Sequence, residues 1–171
     1  GAQARHGAYE REVALGVAIM AVPLLEEQGA KVFLTRTEKN PWRYGDVRQG
    51  DNRARAIFAN VLNADAYVRL HCDWNRDKRF KGYTTFFYRW GSYALAKSLH
   101  QSMTQALAID HRDNGIHQRS FVSVTAKMPT VLLEMGVLSY KEEGERLAKL
   151  DHQAKLAQAI TAGLVEYFSK S

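Results

Sequence analysis

The chain has 171 residues, of which 46% are hydrophobic and 25% charged, and its formal net charge is +6. That length supports one domain with its own core over 1–171. The single cysteine, Cys72, excludes an intramolecular disulfide, and no run approaches the ~20 apolar residues of a membrane span. The positive balance favours polyanionic partners such as nucleic acid, anionic lipid or an anionic cell wall. The basic residues do not form one run, however, and a nucleic-acid surface would need them interleaved with aromatics on one face. Only Trp74–Phe80 hints at that, so no nucleic acid is expected as partner.

In chain order, the start Gly-Ala-Gln-Ala-Arg-His has no apolar stretch of the kind a secretory signal carries, so the chain reads as a mature or trimmed domain. Residues 10–27 are predicted as a helix, because Val13, Val17, Met20, Ala21 and Leu24 recur at helical spacing. Pro23 should distort that helix and Gly29 should stop it. Lys31–Arg36 reads as a short strand. Residues 37–50, with Asn40-Pro41, Gly45 and Gly50, read as a long loop. A helix over 51–62 follows, with Asp51 or Asn52 as its cap. Ala66–Leu70 is a strand running into His71. Arg76–Lys81 is a polar loop, and Tyr83–Tyr88 is a strand rich in aromatic and β-branched residues.

Ser92 can cap a helix over 93–108, and Asp113-Asn-Gly115 reads as a turn. Phe121–Val124 is a short strand. Val131–Leu133 is a strand without alternation, hence buried on both faces, and it runs into Glu134. Acids crowd at Glu142, Glu143 and Glu145. The last helix, about 151–168, carries Leu156, Ala157, Ile160, Leu164 and Phe168 on its inner face. Strands alternating with helices predict an α/β fold: a mostly parallel twisted sheet with helices on both faces. The chain enters a loop and a helix without a preceding strand, which predicts a sheet lacking its first strand.

Three residues form the candidate site. Glu10 opens the first helix, and His71 and Glu134 end predicted strands, where open α/β sheets place their sites. Imidazole nitrogen and carboxylate oxygen suit zinc, and catalytic zinc uses about three protein ligands plus water. The spacing leaves this open beside a plainer reading, in which a strand-end Glu is a cap or an ion-pair partner. His6, His111 and His117 read as surface residues and His100 and His152 as structural ones. Cys72 and His71 make a poor nucleophilic pair, since neighbours on a strand point to opposite faces.

Six segments in order resemble one family. Gly1-Ala2 with Gly7-Ala-Tyr-Glu10-Arg-Glu-Val-Ala-Leu15 opens the series. Gly29-Ala-Lys-Val-Phe-Leu-Thr-Arg36 is the second, and Arg55-Ala-Ile-Phe-Ala59-Asn60 with Ala64-Asp65 the third. Leu70-His71-Cys-Asp-Trp, Gly82-Tyr-Thr-Thr-Phe-Phe-Tyr88 and Pro129-Thr-Val-Leu-Leu-Glu134-Met-Gly-Val-Leu-Ser139 complete it. Together they resemble the catalytic domain of the zinc-dependent N-acetylmuramoyl-L-alanine amidases of the amidase_3 type, over nearly the whole chain.

The resemblance implies zinc as cofactor, with Glu10 and His71 as ligands and Glu134 as the catalytic carboxylate acting on the zinc-bound water. The implied reaction is hydrolysis of the amide between N-acetylmuramic acid and L-alanine, for wall remodelling, cell separation or lysis. The implied partners are peptidoglycan glycan strands, their stem peptides, and a possible protein activator or wall-binding module. The implied location is extracytoplasmic, in the cell wall or periplasm. The family's first strand ends in Asp-x-Gly-His-Gly-Gly, whose His is the remaining ligand, and Gly1-Ala2 matches the point just after it. The strand and that His are therefore expected upstream; His6, only four residues before Glu10, is not put in their place. The segment before Arg55 is longer than usual, and Asp73 stands where the family has Asn, adding an acid beside the metal. A non-catalytic wall-binding or regulatory relative would share the fold while lacking a complete metal site.

Overall fold

Residues 2–4, 8–37, 48–77, 79–107, 112–122 and 125–170 are described in the computed structural model. The first helix, α1 (Glu10–Glu26), buries Val13, Ala14, Val17 and Ala21 on one face and carries Glu10 and Glu12 in its first turn, where the helix dipole favours acids. The helix runs on past Pro23, whose carbonyl accepts the Glu27 N–H at 3.0 Å. Gly29 stops it as predicted: its φ of +82° lets the Ala30 N–H turn back to the Leu25 carbonyl.

The predicted strand at Lys31–Arg36 does not form, for the segment joins no ladder among the described residues. Extended backbone becomes a strand only when a neighbouring backbone takes up its N–H and C=O groups. Side chains tie this segment down instead. The Arg36 guanidinium donates to the Arg11 carbonyl, and Arg55 Nη1 donates to Thr35 Oγ1 at 3.1 Å. The second helix, α2 (Arg48–Val61), begins before the predicted start, so Asp51 and Asn52 lie inside it and do not cap it. Gly50 is tolerated there at a cost of ~1 kcal/mol. The rest of the predicted loop, residues 38–47, lies outside the described residues.

Among the described residues four strands make the sheet: β1 (Tyr67–Asp73), β2 (Tyr83–Phe87), β3 (Asp113–Gln118) and β4 (Thr130–Val137), in the order β1-β4-β2-β3. The β1/β4 and β2/β3 ladders are parallel and the central β2/β4 ladder is antiparallel, so the sheet is mostly parallel as expected. β1 and β4 each run past the predicted ends, and His71 and Glu134 lie within strands rather than at their tips. The turn predicted at Asp113–Gly115 is instead the start of β3. The turn chemistry survives as an irregularity: Asp113 Oδ1 accepts the Gly115 N–H at 2.7 Å, and the register against β2 slips between Tyr83 and Thr85. Phe121 and Val122 form a turn and bend, not a strand; Ser123 and Val124 lie outside the described residues.

Helices cover both faces, and strand alternation decides what each receives. Val68, Leu70 and Cys72 of β1 and Val131, Leu133 and Met135 of β4 pack into the larger core with α1 and two later helices, α3 (Tyr93–Leu107) and α5 (Leu150–Ser169). On the other face Tyr67 packs with Ala56 and Ala59 of α2 and with Ala126. Leu95, Leu99 and Leu156 are fully buried between α3, α5 and the sheet, each contributing about 1.5–3 kcal/mol of transfer free energy. A 3-10 turn at Trp90–Ser92 leads into α3, and Ser92 is not the cap expected: its hydroxyl accepts the Thr130 N–H at 2.9 Å and so fixes the start of β4.

His100 of α3 is structural, as read from the sequence. Nδ1 meets Thr85 Oγ1 at 2.9 Å, and Nε2 meets Asp113 Oδ1 at 3.0 Å. Burial pulls its pKa below the ordinary 6.5, against the attraction of Asp113. The unfolded chain therefore binds more protons at this group than the folded one as pH falls through 6.5, and folding stability drops in that range. Thermal denaturation from pH 8 to pH 5 should show a steeper acid decline for the parent than for His100→Gln. Parallel curves would refute this assignment.

One short helix went unforeseen. The acids at 142–145 belong to α4 (Lys141–Leu147), with Glu142 and Glu143 in its first turn. Glu143 is 1% exposed. Its carboxylate accepts the Gly82 N–H at 2.8 and 3.0 Å and the Val137 N–H at 2.8 Å, with Arg146 Nη2 at 3.9 Å. It thus ties the start of β2 to the end of β4. Gly82 is required at this junction, since its φ is +103° and a Cβ would meet the Arg112 carbonyl at 1.9 Å.

Candidate active site

The ladder registers place the site. His71 of β1 is the register partner of Glu134 of β4, and Glu134 in turn pairs with Thr84 of β2. Register partners share a face, so these three side chains form one row across the sheet. It lies on the face opposite Val131 and Leu133, the face that α2 covers further along. Glu10 arrives from the start of α1, its Oε1 2.7 Å from His71 Nδ1. Residues 2–4 hold that carboxylate in place: Gln3 bridges Tyr9, the Glu10 N–H donates to the Ala2 carbonyl, and the Ala2 N–H donates to Glu10 Oε2 at 2.9 Å. The three residues singled out in the sequence therefore come together.

Their environments differ. Burial opposes ionisation of Glu10, but the hydrogen bonds from His71 and Ala2 outweigh it and hold the carboxyl below its ordinary 4.5. Glu134 moves the other way, to about 8, through burial first and then the nearby carboxylates of Asp73 and Glu10, with Arg69 opposing. Its Oε2 is buried and has no hydrogen-bond partner among the described residues. An unpartnered buried carboxyl oxygen is costly and calls for an explanation. Asp73, the acid noted as a departure, accepts the Trp74 N–H at 2.6 Å and adds negative charge beside Glu134. Cys72 points into the opposite core, where burial pushes its thiol well above the ordinary range; it is no nucleophile.

Arg69 was missed. It lies on β1 two residues before His71 and hence on the same face. It is 9% exposed. Nη1 donates to the carbonyls of Phe121 and Val122, and Nη2 stands 3.5 Å from His71 Nε2. Burial lowers its pKa and Glu134 acts in the opposite sense. An arginine inside an apolar run, in phase with His71, was the signal that could have found it.

Glu10 and His71 offer one carboxylate oxygen and one imidazole nitrogen, donor types that suit zinc. In kind these donors fit such an ion. In number they fall one short of the usual three, and no group of three metal-donor side chains forms among the described residues. His6 and His111 lie outside those residues; His117 sits on β3 with Nε2 2.7 Å from the Asn114 carbonyl.

Solved amidases share this α/β fold. The chain superposes on the catalytic domain of CwlV, an N-acetylmuramoyl-L-alanine amidase from Bacillus (Paenibacillus) polymyxa var. colistinus, with TM-score 0.89 and 28% identity, covering 100% of this chain and 92% of that one. The CwlD amidase of Clostridioides difficile, solved with the GerS lipoprotein, gives TM-score 0.89 at 23% identity, a likeness of fold, with coverage of 100% and 92%. Among curated relatives, the germination-specific N-acetylmuramoyl-L-alanine amidase of Bacillus subtilis is 29% identical over 94% of this chain and 71% of its own length. The probable cell wall amidase LytH of Staphylococcus saprophyticus is 29% identical over 86% of this chain and 46% of its own, so the chain spans about half of that relative. The family model of the N-acetylmuramoyl-L-alanine amidases matches residues 1–166, and the chain belongs to that family. Among the described residues no helix is long and apolar enough to cross a membrane.

Proposed function

We propose that residues 1–171 act as one catalytic domain that hydrolyses the amide between N-acetylmuramic acid and L-alanine in bacterial peptidoglycan, outside the cytoplasm and with zinc. The observation that carries this reading is the convergence of Glu10, His71 and Glu134, with Oε2 of Glu134 buried and unpartnered beside the Glu10–His71 pair. Family membership supplies the substrate class. Glu10 and His71 would hold the metal, which when bound supplies a Lewis acid for the amide carbonyl and eases deprotonation of the attacking water. Glu134, raised to about 8 by burial and neighbouring carboxylates but favoured in its ionised form once a cation sits beside it, would take a proton at Oε2 from the attacking water as the water oxygen bonds the carbonyl carbon. It returns the proton to the departing L-alanine nitrogen as the C–N bond breaks. The products are the muramic acid carboxylate and the free amino terminus of the stem peptide. A wall-binding module or a protein activator belongs to the same proposal.

A second reading, a non-catalytic wall-binding relative, is favoured by one observation: two metal donors, not three, meet among the described residues. Metal content separates the two. Zinc measured on the purified full-length protein should be stoichiometric in the parent and in Glu134→Ala. It should be lost from His71→Ala, by more than the ~10–100-fold typical of an outer-shell change. A parent without zinc, releasing no stem peptide from purified peptidoglycan, would favour the second reading.

A further inference from the structure

Beside the row His71–Glu134–Thr84 lies a second row on the same face. Register places Arg69 of β1 against Leu132 of β4, Leu132 against Phe86 of β2, and Phe86 against His117 of β3. The two rows are two residues apart along the strands, ~6.6 Å. The far end of the second row is aromatic. Phe86 lies 5.9 Å from His117 and meets Phe121 edge-on, with centroids 5.3 Å apart at 64°. His117 is fixed through its bond to the Asn114 carbonyl. Phe121 is 58% exposed. Its main chain is anchored to the site: buried Arg69 holds the Phe121 and Val122 carbonyls while its other nitrogen stands at His71. An exposed ring that packs on Phe86 of the neighbouring row, with its carbonyl held by a buried guanidinium, is positioned to meet substrate.

We propose that Phe121, backed by Phe86 and His117, is a sugar subsite that takes a pyranose ring of the glycan strand and sets it relative to Glu134; this rests on the proposed hydrolysis of peptidoglycan. A pyranose ring presents a face of C–H groups, which packs on an aromatic ring and needs no charge. The stem peptide carries carboxylates and would call for a cation, whereas the cation in this row, Arg69, is buried and committed to main-chain carbonyls. The row's chemistry therefore matches the sugar. Arg69 is a positioning residue here, since it acts through Phe121 and His71.

The test is calorimetric binding of peptide-free strands of alternating N-acetylglucosamine and N-acetylmuramic acid to the full-length protein. These strands lack the scissile amide, so no turnover intervenes. Phe121→Ala should weaken binding roughly three- to tenfold, the range for one aromatic contact. Phe121→Trp should restore it, and affinity for free stem peptide should be unchanged in both. Equal glycan affinity in parent and Phe121→Ala, no glycan binding by the parent, or a loss confined to the stem peptide would each overturn the proposal. A parent that cleaves no peptidoglycan yet binds glycan through Phe121 would sink the hydrolytic reading and leave the subsite standing. Cleavage with Phe121-independent glycan binding would do the reverse.

Discussion

Replacing Glu134 with alanine is expected to lower release of stem peptides from purified peptidoglycan by ~10²–10⁴-fold, the range for loss of a general acid–base group. The expectation follows from position. Glu134 is the register partner of His71, yet it takes no part in the Glu10–His71 bond, and its Oε2 is buried and unpartnered. On the proposed chemistry it moves a proton and binds no metal, so zinc content should survive the substitution. Loss of activity should not come from unfolding either. Glu134→Gln keeps the volume and removes an acid crowded by Asp73 and Glu10, so it should melt at or above the parent while remaining inactive. Near-parental peptide release by either variant would remove Glu134 from the mechanism. Loss of zinc from both would make it a ligand instead.

Glu143→Ala should produce the largest loss of stability. It leaves the N–H groups of Gly82 and Val137 without their buried acceptor and strips Arg146 of its partner. Breaking a buried, hydrogen-bonded charge costs about 3–5 kcal/mol, which for a chain of this size shifts the melting temperature by roughly 6–20 °C. Glu142→Ala and Glu145→Ala alter exposed positions of the same helix and should stay within about 0.5 kcal/mol of the parent. Activity should fall with Glu143→Ala even at temperatures where the protein remains folded. Gly82 and Val137 flank the segment in which Thr84 pairs with Glu134, and the carboxylate holds that segment in register. A melting temperature within about 2 °C of the parent would show that water replaces the carboxylate without penalty.

Local pattern was enough for much of the chain. The periodicity of Val13, Val17 and Ala21 marked α1 and its buried face, and Gly29 marked its end, because amphipathic spacing and positive φ are properties of a few consecutive residues. The uninterrupted apolar run before Glu134 marked a buried strand for the same reason. The residues Glu10, His71 and Glu134 could be named from ordered motifs, and Arg69 could have been named from its phase with His71.

Pairing, by contrast, is non-local. Lys31–Arg36 has strand composition but joins no ladder among the described residues, and Asp113–Gly115 has turn composition but pairs with β2. A seven-residue helix with a glycine inside it, α4, carries too little periodicity to be seen, although it delivers the buried Glu143. Glu143 itself looks like any surface acid until the N–H of Gly82, from a distant segment, joins that of nearby Val137 on its carboxylate. The distance of Glu10 from His71, the burial that raises Glu134, and the row joining Arg69 to Phe86 and His117 are likewise set by strand order and register. These depend on which backbones lie side by side, and only the folded chain decides that.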